Sequence, residues 1–167
     1  MLSARLFLLV FGCAIGSVSA ASAQGLITQK ALSLEMAEAI VRGTVERCRA
    51  DGFSVSVTVI DGSGLLKAFL RDEGNGPHTI DLSRRKAYTA LTFATRFPTS
   101  LAFSKARGGT LGSPMPNVEG TTTVGGGVPI RVANVAIGAV GVSGAVGADR
   151  DEVCAHAGIA KVADLLK

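Results

Sequence analysis

Two histidines, three cysteines and a set of strand-embedded glycines are the residues of this 167-residue chain whose types could carry chemistry. His78 stands in Gly76-Pro77-His78-Thr79, a loop entering a helix, where an imidazole can face a cleft and hold a metal. His156, in Cys154-Ala155-His156-Ala157, falls beside the stripe of Val153, Ala157 and Ala160, so solvation suits it better and it ranks second as a ligand. Asp61, Asp72 and Glu73 stand close enough to His78 in sequence to share proton transfer, although turn chemistry and solvation account for them more simply. Gly125-Gly126-Gly127 and Gly138 lie in strand-like sequence, where a missing side chain lets another backbone or a flat ligand come close, at an entropic cost.

Other chemistries are disfavoured by spacing. Gly141-Val142-Ser143-Gly144-Ala145 falls one residue short of the G-x-S-x-G nucleophile elbow, and no Walker lysine or G-x-G-x-x-G spacing occurs among the glycines. Two distant histidines without a Cys-x-x-Cys pair do not compose a closed zinc site. The net charge is only +4, and the one basic triplet, Arg84-Arg85-Lys86, has no aromatic residues interleaved to stack bases. No nucleic-acid partner is expected.

The elements that must position these residues follow from punctuation and period. Residues 1–23, with Arg5 and then an apolar run from Leu6 to Val18 leading into Ala21-Ser22-Ala23, have the form of an export signal, too short to span a bilayer, which takes about 20 apolar residues. Val10-Phe11-Gly12-Cys13 loosely resembles a lipid-attachment motif, with a bulky Phe11 against it. Cleavage leaves a single domain over 24–167, in the periplasm or secreted, with no membrane attachment expected after cleavage. Cys48 and Cys154 then enter an oxidising compartment, either as one bridge or as two buried thiols.

Ser33 caps a helix to about Ala50. Val55, Val57 and Val59 alternate with Ser54, Ser56 and Thr58 as a strand with one buried face, and Asp61-Gly62-Ser63-Gly64 turns it into a second strand to Arg71. A helix opening at Thr79 or Asp81 carries Leu82, Ala87, Ala90, Leu91 and Ala94 on its apolar side and ends before Pro98; a short helix at 99–106 follows. Val128–Val132 and Val135–Ser143 form a last hairpin about Ala133-Asn134, with Pro129 at an edge or strand start. Asp149 and Glu152 suggest a capping box for a helix over about 150–166. Hairpin-linked strands with helices between them indicate an α+β fold with an antiparallel sheet.

Lys86-Ala87-Tyr88-Thr89-Ala90, the glycine strands and Asp151-Glu152-Val153-Cys154-Ala155-His156-Ala157-Gly158 together resemble the GlcG/HbpS family, a haem-binding or "haem-degrading" domain similar to the C-terminal domain of PduO. The similarity covers roughly residues 32 to 165 and implies a profilin-like, five-stranded antiparallel sheet flanked by helices, with haem as cofactor and a homo-oligomeric assembly. Haem needs one axial donor, an apolar slot and cations for its propionates. His78 is the first choice for the iron, with His156 second; Tyr88 as phenolate and Met115, between Pro114 and Pro116, are further donors. Lys86 and Arg131 are the candidate propionate partners, and Gly125, Gly126, Gly127 and Gly138 would line the slot or pack subunits together. The resemblance therefore implies a secreted or periplasmic haem-binding carrier, scavenger or sensor component rather than a catalyst. An enzyme or binding protein for a small organic acid, and a purely structural oligomer, are the alternatives.

Overall fold

The computed structural model describes residues 25–108 and 118–167. The expectations placed on 1–23, including Cys13, and on Met115 lie outside those residues. The order is α1 (Leu34–Ala50), β1 (Ser56–Asp61), β2 (Leu66–Arg71), α2 (His78–Thr92), α3 (Ser100–Ala106), β3 (Gly127–Val132), β4 (Val135–Ser143) and α4 (Ala148–Ala160), with a 3-10 turn at Ala163–Leu165. Among the described residues no helix is long and apolar enough to cross a membrane.

The fold is α+β, but the antiparallel sheet has four strands among the described residues, ordered β2-β1-β4-β3, where the family resemblance implied five. The chain between α3 and β3 has no strand in its described part, and β3 begins at Gly127. Pro129, which has no N–H for a ladder, sits on the edge strand β3.

α1 begins where the Ser33 hydroxyl accepts from the Met36 N–H at 3.2 Å, and Gly52 (φ +83°) follows its end. Its apolar stripe, with Ile40, Val41, Val45 and Cys48, packs with α4 on one face of the sheet against Val57, Val59, Val128, Ile130, Val140 and Val142. A disulfide between Cys48 and Cys154 ties α1 to α4, their Cα atoms 5.4 Å apart.

The opposite face of the sheet is covered by α2, which changes the reading of β1. The strand is buried on both faces: Ser56 and Thr58 meet α2 hydroxyls, with Ser56 Oγ 2.8 Å from Thr79 Oγ1 and Thr58 Oγ1 2.8 Å from Ser83 Oγ. Paired hydroxyls replace water there, so an alternating pattern no longer marks an exposed face. α2 starts at His78, earlier than its sequence suggests, and its buried side combines Ala87 and Ala90 with Thr79, Ser83 and Lys86. It lies unusually close to the sheet because Gly127 and Gly141 are register partners across β3 and β4. A Cβ on Gly127 would overlap the Lys86 carbonyl, and one on Gly141 the Ser83 carbonyl. The close approach expected of the glycine strands is made, at these two positions, by a backbone of the same chain.

The C-terminal helix departs from its expected form at both ends. Gly147 holds the N-cap position without a side-chain hydrogen bond, Asp149 lies in the first turn, and Glu152 is used elsewhere, so no Asp149–Glu152 capping box forms. The buried face of α4 is Asp151, Glu152, Cys154, Ala155 and Gly158, and Val153 is exposed. α3, capped by the Thr99 hydroxyl, docks through Phe103, which stacks on Phe93 with ring centroids 4.3 Å apart.

Two stability outcomes follow. Gly141→Ala should lose about 1–3 kcal/mol or more in urea unfolding through overpacking, whereas Gly25→Ala, with nothing within 4 Å, should be near neutral; equal midpoints would refute the tight seat of α2. Replacing Cys48 and Cys154 together by alanine should cost about 2–5 kcal/mol, measured in the same way without reductant.

Candidate functional site

Lys86 and Asp151 meet between α2 and α4, each side chain 3% exposed. Lys86 Nζ donates to Asp151 Oδ2 at 2.6 Å and to the Val142 carbonyl at 2.9 Å, and Asp151 Oδ1 accepts from the Ala145 N–H at 3.1 Å. Lys86 is therefore an internal tie and not the surface cation the triplet Arg84-Arg85-Lys86 suggested. It falls on the buried stripe Ser83, Lys86, Ala87, Ala90, at i, i+3, i+4 and i+7, which is the sequence signal that separates it from its neighbours. Glu152 accepts from the Leu101 N–H at 2.8 Å and the Gly126 N–H at 3.4 Å, joining α4 to α3 and to the glycine run. Burial raises the Asp151 carboxyl to about 6, outweighing the opposing pull of Lys86, and burial also raises Glu152. Gly125 abuts Leu101, and Gly126 abuts Lys86 and Asp151, beside a cleft of about 430 Å³ that Lys86, Ser104, Gly125 and Asp151 help to line.

A second cleft, about 510 Å³, opens where the C-terminal half of α2 passes the two strand turns. Tyr88, Leu91, Ala94, Arg131 and Val135 line it. The Tyr88 ring is half-buried beside Gly64 (φ +81°) and Gly120 (φ +80°), where an added Cβ would come within 3.0 and 3.4 Å of it. Arg131 Nη2 donates to the Ala94 carbonyl at 2.5 Å and Nη1 to the Asn134 carbonyl at 3.3 Å, which fixes the guanidinium at the margin of the cleft. Across the turns a larger cleft, about 550 Å³, is walled by Thr28–Leu32 and shares Gly62, Ser63, Val135 and Ala136 with the second.

The remaining candidates are dispersed. His78 is exposed at the first position of α2, its ring against Gly76, about 15 Å along the helix axis from Tyr88, and it lines none of these clefts. His156 is exposed on α4, across the sheet from α2. Gly138 is covered by the Ile60 carbonyl and Leu32. Asp61 holds its own turn, accepting from the N–H groups of Ser63 at 2.9 Å and Leu65 at 3.1 Å. Asp72 is buried and bound by Arg49, with Nε at 2.8 Å, while Glu73 is exposed. Of the four acid–base residues grouped near the first hairpin in sequence, Asp61 serves its own turn and Asp72 and Glu73 both face Arg49. Among the described residues no group of three or more His, Cys, Asp or Glu side chains could hold a metal ion.

A helix seated on glycine, a buried lysine–aspartate tie and clefts at the turn end of a four-stranded sheet define a small α+β domain, and comparison with known proteins places it among the HbpS-like proteins. The chain belongs to that family: the model described as "Haem degrading protein HbpS-like" matches residues 32–160. It is 35% identical over 116 residues to Protein GlcG of Escherichia coli (strain K12), across 70% of this chain and 84% of that protein. The crystal structure of HbpS superposes with a TM-score of 0.73 at 33% identity, covering 83% of this chain and 96% of the other. The crystal structure of a PduOC–haem complex shares the fold, with a TM-score of 0.68 at 23% identity over 80% of this chain and 96% of that one.

The raised Asp151 value fixes the sign of a pH effect. Between the unfolded value of 3.8 and about 6 the folded state holds a proton that the unfolded state has lost, so this contribution is full below pH 3.8 and disappears as pH rises through 6. Glu152 acts in the same direction. Urea stability of the wild type should fall by on the order of 1–3 kcal/mol from pH 4 to 7 relative to Asp151→Asn. Parallel pH profiles for the two proteins would contradict the assignment.

Proposed function

We propose that the protein binds haem through the cleft between α2 and the β3–β4 turn, as a carrier, scavenger or sensor component. The observation that carries this reading is the match of residues 32–160 to the haem-degrading HbpS-like family. The cleft supports it, because its donors suit the group: a phenol on Tyr88, an apolar wall from Leu91, Ala94 and Val135, and a fixed guanidinium on Arg131. When bound, haem supplies iron able to take an axial ligand or change oxidation state. What the chain contributes is geometric and electrostatic. Leu91 and Ala94 exclude water from one face of the cleft, and Arg131, whose two carbonyl bonds leave other N–H donors free, can pair with a propionate.

Lys86 has no part in holding the ligand directly, because its ammonium is bound to Asp151 and Val142. It positions α2, and thereby Tyr88 and Leu91, relative to β4 and α4. The export signal read in residues 1–23 and the Cys48–Cys154 bridge support a periplasmic or secreted site of action. A homo-oligomer accords with the exposed apolar residues Leu65, Leu66 and Val135 near the two turns.

Titration of the purified protein with haemin, followed by absorption, should show saturable one-to-one binding. Arg131→Glu should weaken it at least tenfold by setting a carboxylate against the propionates, while His78→Ala should leave affinity unchanged. Absence of saturable binding, together with thermal stabilisation by small carboxylates, would favour an organic-acid site instead.

A further inference from the structure

The haem reading leaves open which atom meets the iron, and the structure narrows that choice. Tyr88 is half-buried, yet its hydroxyl makes no hydrogen bond among the described residues, although a tyrosine in such a position usually ties its tip to a partner. The ring itself is well defined. Gly64 and Gly120 flank it, both at positive φ; a Cβ on Gly64 would press on the ring at 3.0 Å, and one on Gly120 would meet it in ordinary contact at 3.4 Å. A fixed ring with an unengaged oxygen, lining a cleft that also holds an anchored guanidinium, is the arrangement an axial donor requires.

The competing donors are placed otherwise. His78 lies outside the cleft, His156 stands on α4 across the sheet, and Lys86 is held by Asp151. Arg84, one helical turn before Tyr88, brings Nη1 within 3.9 Å of the position a Cβ on Gly120 would take, and the Tyr88 ring borders that same point. A guanidinium, itself paired with Asp81, therefore stands near the ring.

Resting on the haem reading, we infer that Tyr88 Oη is the axial ligand to ferric haem iron, with Arg131 as a propionate partner in the same cleft. On binding, the phenol releases its proton to solvent and its oxygen donates a lone pair to Fe(III); no electron is transferred and no co-reactant is needed. A hard, anionic oxygen ligand favours the ferric state, so dithionite reduction should loosen the complex.

The test is haemin titration of wild type, Tyr88→Phe and His78→Ala, read by absorption and resonance Raman spectroscopy, with circular dichroism to verify folding. Wild type and His78→Ala should show phenolate-to-iron charge transfer and iron-bound tyrosinate vibrations. Tyr88→Phe, which keeps the ring and its glycine contacts, should lose both and bind haemin at least tenfold more weakly. If Tyr88→Phe binds haemin with the wild-type spectrum, or if His78→Ala alone abolishes the wild-type signature, the assignment to Tyr88 is overturned while haem binding stands. If wild type shows no saturable haemin binding, the haem reading and this inference fall together.

Discussion

The backbone of α2 rests on the sheet at Gly127 and Gly141 with no side chain in between, and most of the architecture on that face depends on this contact. Ordinary helix–sheet packing interposes a layer of side chains. Here the helix comes close enough for small hydroxyls on β1 to reach its own, through Ser56 with Thr79 and Thr58 with Ser83. The same approach carries Lys86 far enough inward to reach the Val142 carbonyl and Asp151. It also sets the height of Tyr88 and Leu91 over the strand turns, and so the depth of the cleft they line.

The price of a close seat is a polar, charged interior, and the structure meets that demand with complete pairing. Among the described residues no buried side-chain nitrogen or oxygen lacks a hydrogen-bond partner. Removing either member of the Lys86–Asp151 pair would leave the other charge buried alone, which is far costlier than the net worth of the intact pair. Glu152, one residue on, extends the tie to Leu101 and Gly126, so α4 joins α2, α3 and the glycine run through two adjacent carboxylates.

Much of this was legible in the sequence, and the misreadings share one cause. Ser33, Gly52, the Asp61–Gly64 turn and Pro129 announce their roles because caps, turns and edge positions are local, decided by a few neighbouring residues. Ser56, Thr58, Lys86 and Glu152 mislead because polarity stood for exposure, whereas each is satisfied by a residue distant in the chain. Glu152 in particular fits a capping pattern three residues after Asp149, but its carboxylate is engaged by N–H groups of α3 and Gly126. The fifth strand came from the family resemblance and not from any pattern in the chain. For the site, the residue types were visible but their grouping was not: Tyr88 and Arg131 are joined only by the packing of α2 on the β3–β4 hairpin.

The Cys48–Cys154 bond joins residues 106 positions apart, and the sheet, α2 and α3 all lie between them. Residues 48–154 thus form a covalent ring closed by the bridge. A single backbone cut anywhere inside that ring leaves one molecule, its halves still joined through α1 and α4. A pull on segments outside the ring passes through the sulfur bridge and bypasses the cleft lined by Tyr88 and Arg131, whereas the neighbouring cleft, walled by Thr28–Leu32, stands in its path.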